Sequence, residues 1–188
     1  IKNEYPKLGI EYPVRHYTEF LAERIDDLKP KLKENGQYKV TYHDPCYLGR
    51  HNGEYDAPRE LLRAIPGVEL VEMGRCRENG YCCGGGGGGM WLDTYYKQKG
   101  MDRLSERRVK EAIATGADVL AVACPYEISR FEDALKVVPH NKPMVVRDVV
   151  QAVAGLPVVE ALVLVEVLVG EHELVRVTLE VPPQPALV

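Results

Sequence analysis

The stretch DVLAVACPYEISRFEDALKV, residues 118–137, decides the fold class. After the aspartate it opens with a short apolar run that does not alternate with polar residues, the pattern of a strand buried on both faces of a parallel sheet. From Pro125 the pattern changes, and Phe131, Ala134, Leu135 and Val138 mark one side of an amphipathic helix. Cys124 stands between the two, at the carboxyl end of the strand, where α/β folds collect their sites.

The same reading extends in both directions. Residues 143–146 form a further strand, and Asp148 opens a last short helix that runs to Ala154. Upstream, residues 93–115 read as a long charged helix ended by Gly116, with Gly100 as a point of interruption. Residues 68–73 read as a strand, and residues 57–65 as a helix with Asp56 as its cap, Pro58 in its first turn and Pro66-Gly67 at its close. Residues 38–42 alternate as a strand after a turn at Asn35-Gly36, and Cys46 lies just past its end. Over residues 14–28 the apolar positions Val14, Tyr17, Phe20, Leu21, Ile25 and Leu28 give one helix face, closed near Lys29-Pro30. The expected fold is α/β: a mostly parallel sheet layered with helices, with metal- or cluster-binding loops at the strand ends. The runs 163–169 and 174–181, around Gly170-Glu171-His172-Glu173, add a C-terminal β-hairpin. The expected division is a cysteine-rich domain over residues 1–155 and a β-rich extension over 156–188.

An apolar fraction of 45% and a charged fraction of 28% over 188 residues fit a folded globular domain with its own core. A net charge of −4 supplies no basic surplus, so nucleic acid is not an expected partner. No apolar run approaches the roughly 18 residues of a membrane span, and the opening IKNEYPKLG lacks the plan of a secretory signal. The expected location is cytoplasmic, with membrane contact made only through partner subunits. A start at Ile1 rather than methionine reads as a fragment or a processed chain with domains upstream.

Five cysteines, Cys46, Cys76, Cys82, Cys83 and Cys124, are an odd number without a secretory context, which favours reduced thiols over a disulfide framework. Cys82 and Cys83 are adjacent and run into six glycines, residues 84–89. Neighbouring thiolates can hold a metal or an iron–sulfur core, and glycines bring backbone N–H groups close to such an anionic centre. A flexible linker after two buried cysteines would show the same composition. The glycines match a dinucleotide-loop pattern trivially, and no Gly-Lys-Ser/Thr closes a phosphate loop. Four cysteines also satisfy tetrahedral zinc.

Cys46 is followed after 35 residues by Cys82-Cys83 and, 40 residues later, by Cys124-Pro125-Tyr126-Glu127. With the flanks HDPCYLGR, CCGGGGGGMW and ACPYEISRFEDALK, the stretch from Val14 to Ala154 resembles the cysteine-rich CCG domain of heterodisulfide reductase catalytic subunits, those of the D type, and related iron–sulfur oxidoreductases. The resemblance implies an iron–sulfur cluster, in the best-described members a noncubane four-iron (4Fe-4S) centre, with Cys46, Cys82, Cys83 and Cys124 as ligands. It implies an oxidoreductase subunit that relays electrons to or from a disulfide or quinone-linked acceptor, together with other electron-transfer subunits or N-terminal domains. A zinc-binding structural or docking module without redox work is the alternative. The family pattern closes on Cys-Pro-X-Cys, whereas Glu127 stands where the last thiol is expected. Glu127 is thus a candidate ligand of unusual type, and Cys76, six residues before Cys82, a further candidate or an uninvolved thiol.

Arg50, His51, Arg75 and Arg77 flank the cysteines and are candidates to tune a cluster or contact substrate, or are solvent-facing charge. His43 and Asp44 are expected to order the loop before Cys46, Asp44 by capping a helix. Trp91, Tyr95 and Tyr96 are expected to pack on the sheet. His16, His140 and His172 form no metal pair.

Overall fold

Strand β3 (Val119–Val122) lies inside the predicted run, and all four of its residues are buried. Leu120 and Val122 join a core with Val109, Phe131 and Val146, whereas Val119 and Ala121 join a second core with Leu61, Leu62 and Val149. A strand with a core on each face has no polar side to show, which is why its sequence does not alternate. The computed structural model describes residues 1–154 apart from 33 and 35, together with two strands at 163–168 and 174–179.

β3 pairs in parallel with β1 (Tyr38–Tyr42) on one side and β4 (Val145–Asp148) on the other, and β1 pairs in parallel with β2 (Val68–Leu70). The order is β2-β1-β3-β4, an all-parallel sheet of the predicted α/β class. Helices α1 (Tyr17–Ala22), α3 (Ala57–Ala64) and α7 (Val149–Ala154) contribute to the core on one face. Helices α5 (Leu104–Ala114) and α6 (Pro125–Val137) contribute to the core on the other. Each fully buried leucine or phenylalanine contributes about 1.5–3 kcal/mol.

Several boundaries differ from the sequence reading, each for a local reason. The first helix begins at Tyr17 because the His16 N–H is held by Glu19 at 2.7 Å, and Arg24 leaves helical geometry before α2 (Ile25–Leu28) resumes. Tyr17, Leu21, Ile25 and Leu28 pack on the core as expected, but Phe20 stays exposed beneath the Arg24 guanidinium. β2 stops at Leu70, and the Glu72 carboxylate beyond it pairs with Arg59. β4 starts later than expected, since Pro143 has no N–H to offer and the first ladder bond comes from Val145. The helix expected over 93–115 divides into α4 (Asp93–Gln98) and α5, with Gly100 left-handed between them at φ +63°. Asp56 occupies the N-cap position of α3 without capping it; Glu54 accepts from the N–H groups of Asp56 and Ala57 instead. The expected hairpin is present as antiparallel strands β5 (Val163–Leu168) and β6 (Leu174–Leu179), while Gly170-Glu171-His172-Glu173 and Asn35 lie outside the described residues.

Candidate metal centre

β1 and β3 are the central neighbours of the sheet, with β2 outside one and β4 outside the other. The chain thus leaves them towards opposite edges, and the crevice outside their carboxyl ends is a topological switch point, where α/β folds bind ligands. Cys46 lies in the loop after β1, and Cys124 is the N-cap residue of α6 directly after β3. Cys82 and Cys83 come from the long connection between β2 and α4. Cys46 and Cys82 line one small cavity, and Cys46 and Cys124 line a groove of about 620 Å³ shared with His16 and His51. The charge of Cys82 acts on Cys46, that of Cys46 on Cys124, and that of Glu127 on Cys46, Cys83 and Cys124. All five cysteines are free thiols.

The glycine run is built into this site. The N–H of Gly84 donates to Cys82 Sγ at 3.3 Å and that of Gly85 to Cys83 Sγ at 3.4 Å. Gly84 has φ +77°, and a Cβ there would lie 3.0 Å from Leu104 Cβ and 3.3 Å from the Arg130 guanidinium. A Cβ at Gly89 would meet the Gly84 carbonyl oxygen at 2.7 Å, so the run folds back closely on itself, unlike a linker. Arg130 of α6 holds it in place, donating to the carbonyl oxygens of Cys83 and Gly84 at 3.4 and 3.5 Å and gripping Asp93 at 2.5 and 2.6 Å.

The thiols differ electrostatically. Cys82 is held well below the usual thiol range, first by the adjacent Cys83 side chain, then by the Gly84 N–H and Arg50, against the cost of burial. Cys83 is pushed up by the Cys82 side chain beside it and by burial. Burial, then negative neighbours, push up Cys46 and Cys124. This is the pattern of converging anions without a cation among them, and a bound metal core would take these thiols as thiolates. Four free thiols, two of them already accepting backbone N–H groups, fit a thiolate-ligated cluster.

Beneath the sulfurs lies a buried polar chain. His43 and Glu127 are each 1% exposed, and His43 Nε2 lies 3.2 Å from Glu127 Oε1. Arg108, fully buried on α5, donates from Nε to His43 Nδ1 at 2.9 Å. Glu127 Oε2 has no hydrogen-bond partner. Donor atoms of His43, Cys83 and Glu127 lie within 4.8 Å of one another, the only such trio among the described residues. Nothing in the sequence distinguishes Arg108 from the other charges of its helix.

The remaining candidates separate. Burial pushes up the Cys76 thiol, and the leading charges around it are those of Glu72, Arg59, Asp44 and Arg77. Arg50 reaches over the Cys46–Cys82 cavity to the Gly80 carbonyl oxygen at 2.9 Å. Arg75 pairs with Glu111, and Arg77 with Asp56. His51 packs against Tyr47 in the groove. Asp44 accepts from Arg59 and from the N–H of Arg77, the first residue of a short 3-10 turn (Arg77–Asn79), and so does order the loop. Trp91, at 81% exposed in the turn over residues 86–92, and the half-exposed Tyr95 of α4 do not pack on the sheet; neither segment has a buried residue.

Residues 40–126 match the family model for the CCG cysteine-rich domain. The chain is 42% identical over 153 residues to the probable iron-sulfur-binding oxidoreductase FadF of Bacillus subtilis, covering 81% of this chain and 21% of that protein. It is 36% identical over 154 residues to the EtfAB:quinone oxidoreductase of Syntrophomonas wolfei, covering 80% and 21%. It is 44% identical over 159 residues to the D-type subunit of the dihydromethanophenazine:CoB–CoM heterodisulfide reductase of Methanosarcina mazei, covering 81% and 37%. The chain thus spans only 21–37% of the length of these relatives. No solved structure gives a significant match. No helix among the described residues is long and apolar enough to cross a membrane. With its sequence matched across the loops that carry Cys46, Cys82, Cys83 and Cys124, the stretch over residues 40–126 is a CCG cysteine-rich domain.

Proposed function

We propose that Cys46, Cys82, Cys83 and Cys124 hold an iron–sulfur cluster of the four-iron type, and that the domain relays electrons within a larger, heterodisulfide reductase-like oxidoreductase. The observation that carries this reading is that Cys46 shares a cavity with Cys82 and a groove with Cys124, while Gly84 and Gly85 turn their N–H groups to the sulfurs of Cys82 and Cys83. Bound there, a cluster would supply one-electron chemistry and an iron-bound contact for a sulfur-containing acceptor. The chain's own residues would set its surroundings: N–H dipoles and Arg50 offset negative charge, burial of Cys83 keeps water from one side, and the groove beside Cys46 and Cys124 gives access.

The sulfur spacing favours a polynuclear core over one zinc ion. Tetrahedral zinc with Zn–S bonds of about 2.3 Å needs sulfurs roughly 3.8 Å apart. No three of the four cysteines lie within 4.8 Å of one another, and a cluster bridges such wider gaps. The partners proposed are electron-transfer subunits or further domains, with a disulfide or a quinone-linked carrier as acceptor, and membrane attachment through those partners. The partial coverage of the relatives supports this. Anaerobic purification with iron, zinc and sulfide determination is the test. About four irons per chain with acid-labile sulfide are expected; about one zinc without sulfide would replace this reading with the zinc module. Cys82→Ser and Cys83→Ser are each expected to lose most iron and Cys76→Ser to retain it; equal loss in Cys76→Ser would make Cys76 a ligand.

A further inference from the structure

Three helices among the described residues carry a glutamate at the third position of their first turn, and one of the three behaves differently. In α1, Glu19 accepts from the His16 N–H at 2.7 Å, and in α5, Glu106 accepts from the Arg103 N–H at 3.2 Å. Both are the ordinary capping use of such a glutamate. Glu127 has the same place in α6, yet the helix has no side-chain cap. Its carboxylate points inward, is 1% exposed, and ends beside His43 and Cys83 with Oε2 unpartnered. A buried carboxylate oxygen left without a partner is costly, and a site that keeps one has a use for its lone pairs.

The role of His43 follows from what stands behind it. Arginine has no acceptor, so the Arg108 Nε–H can only donate to His43 Nδ1. The hydrogen of the ring is therefore on Nε2, an assignment made from the hydrogen-bond network. A histidine that ligates through Nε2 carries its hydrogen on Nδ1, where Arg108 already points one. His43 is thus set against metal ligation, although it belongs to the trio of neighbouring donors. Its Nε2–H instead faces Glu127 Oε1 at 3.2 Å, and Phe131 holds the ring edge-on at 4.9 Å between centroids. One carboxylate oxygen is occupied by the imidazole, the other has no partner, and the carboxylate stands beside Cys83.

Building on the cluster reading above, we infer that Glu127 supplies an oxygen donor to the cluster beside Cys83, and that His43, braced by Arg108, is the positioning residue that aims it. The cluster would then have one oxygen-ligated iron, chemically distinct from those held by thiolates alone.

The test uses anaerobically reconstituted protein, with two readouts: the electron paramagnetic resonance spectrum and the rate of iron loss to a chelator. Glu127→Gln and His43→Phe are expected to give the same altered spectrum and about 10–100-fold faster iron loss. The double variant should be no worse than either single one, because the two residues act as a unit. His43→Gln, whose amide can still donate to the carboxylate, should retain the wild-type spectrum. In a Glu127→Cys background, where a thiolate needs no imidazole to aim it, adding His43→Phe should leave the spectrum unchanged. A purely structural role for His43 would damage both backgrounds alike, and that result would overturn the positioning assignment. Unchanged spectra and iron retention in Glu127→Gln, with Cys82→Ser still losing its iron, would overturn the inference and leave the cluster reading standing. Wild-type protein that takes up no iron or sulfide would overturn the cluster reading and this inference with it.

Discussion

Arg59 is expected to be the most costly single charge to remove. Its guanidinium is fully buried and donates to both oxygens of Asp44 at 2.6 and 3.0 Å, to both oxygens of Glu72 at 2.6 and 3.0 Å, and to the Tyr55 carbonyl oxygen at 2.6 Å. Asp44 stands two residues before Cys46, and Glu72 follows β2, so one side chain on α3 ties the loops of two neighbouring strands together. In Arg59→Leu the Asp44 side chain, 3% exposed, would keep one donor, the Arg77 N–H at 2.7 Å. Breaking a buried pair by removing one partner costs about 3–5 kcal/mol, to which Glu72, a third exposed, adds little. The remaining N–H offsets about 1 kcal/mol, leaving an expected loss of roughly 2–4 kcal/mol. Against a total stability of about 5–15 kcal/mol this is large. Urea unfolding of the metal-free protein should show the midpoint falling by roughly 1–2 M. Arg59→Lys should fall between, because a point charge cannot fork to two carboxylates. Arg59→Leu combined with Asp44→Asn should cost less than the sum of the two, since no buried charge is stranded. An Arg59→Leu midpoint within roughly 0.3 M of wild type would refute the clamp.

Gly84→Ala is expected to lower stability by about 1–2 kcal/mol, because a left-handed backbone and Leu104 both oppose a Cβ, whereas Gly86→Ala, in open space, should cost less; thermal unfolding of both variants measures the difference. Asp93 is held below the usual carboxylate range first by the Arg130 hydrogen bonds and further by Arg103. Its contribution is therefore complete above the unfolded carboxylate value and is lost as pH falls through the lower folded value. Asp93→Asn should cost roughly 1.5–3 kcal/mol near neutral pH and converge on wild type in strong acid, read from urea titrations across pH. Phe131→Ala should cost about 3–5 kcal/mol as a buried cavity and also free the His43 ring, so its metal-free Tm and the mobility of that imidazole by nuclear magnetic resonance should change together.

The sheet and the helix order were legible in the chain because each rests on a local period. The residues Val119–Val122 need a core on both faces whatever lies around them, and Phe131, Ala134 and Leu135 share a helix side by spacing alone. The cysteine set was legible as chemistry, since adjacent thiols followed by glycines have few other uses. The misread elements were those settled by a distant partner. Asp56 has the makings of a cap, but its carboxylate pairs with Arg77, twenty-one residues away. Trp91 and Tyr95 have helical spacing, but neither the glycine-rich turn that carries Trp91 nor α4 buries any residue.

By itself, the amino-acid order determined the α/β class, the succession of elements and the thiols available for a metal, because periodicity and residue chemistry act within a few neighbours. Only the tertiary structure decided which of those groups meet. Cys76 is closer along the chain to Cys82 than Cys46 is, yet its charged surroundings are an ion-pair network while Cys46 shares a cavity with Cys82. His43, Arg108 and Glu127 belong to separate segments, and the parallel crossovers bring them into one buried line. Sequence distance carries no information about such meetings, since they depend on which strands are neighbours and on which face each helix returns.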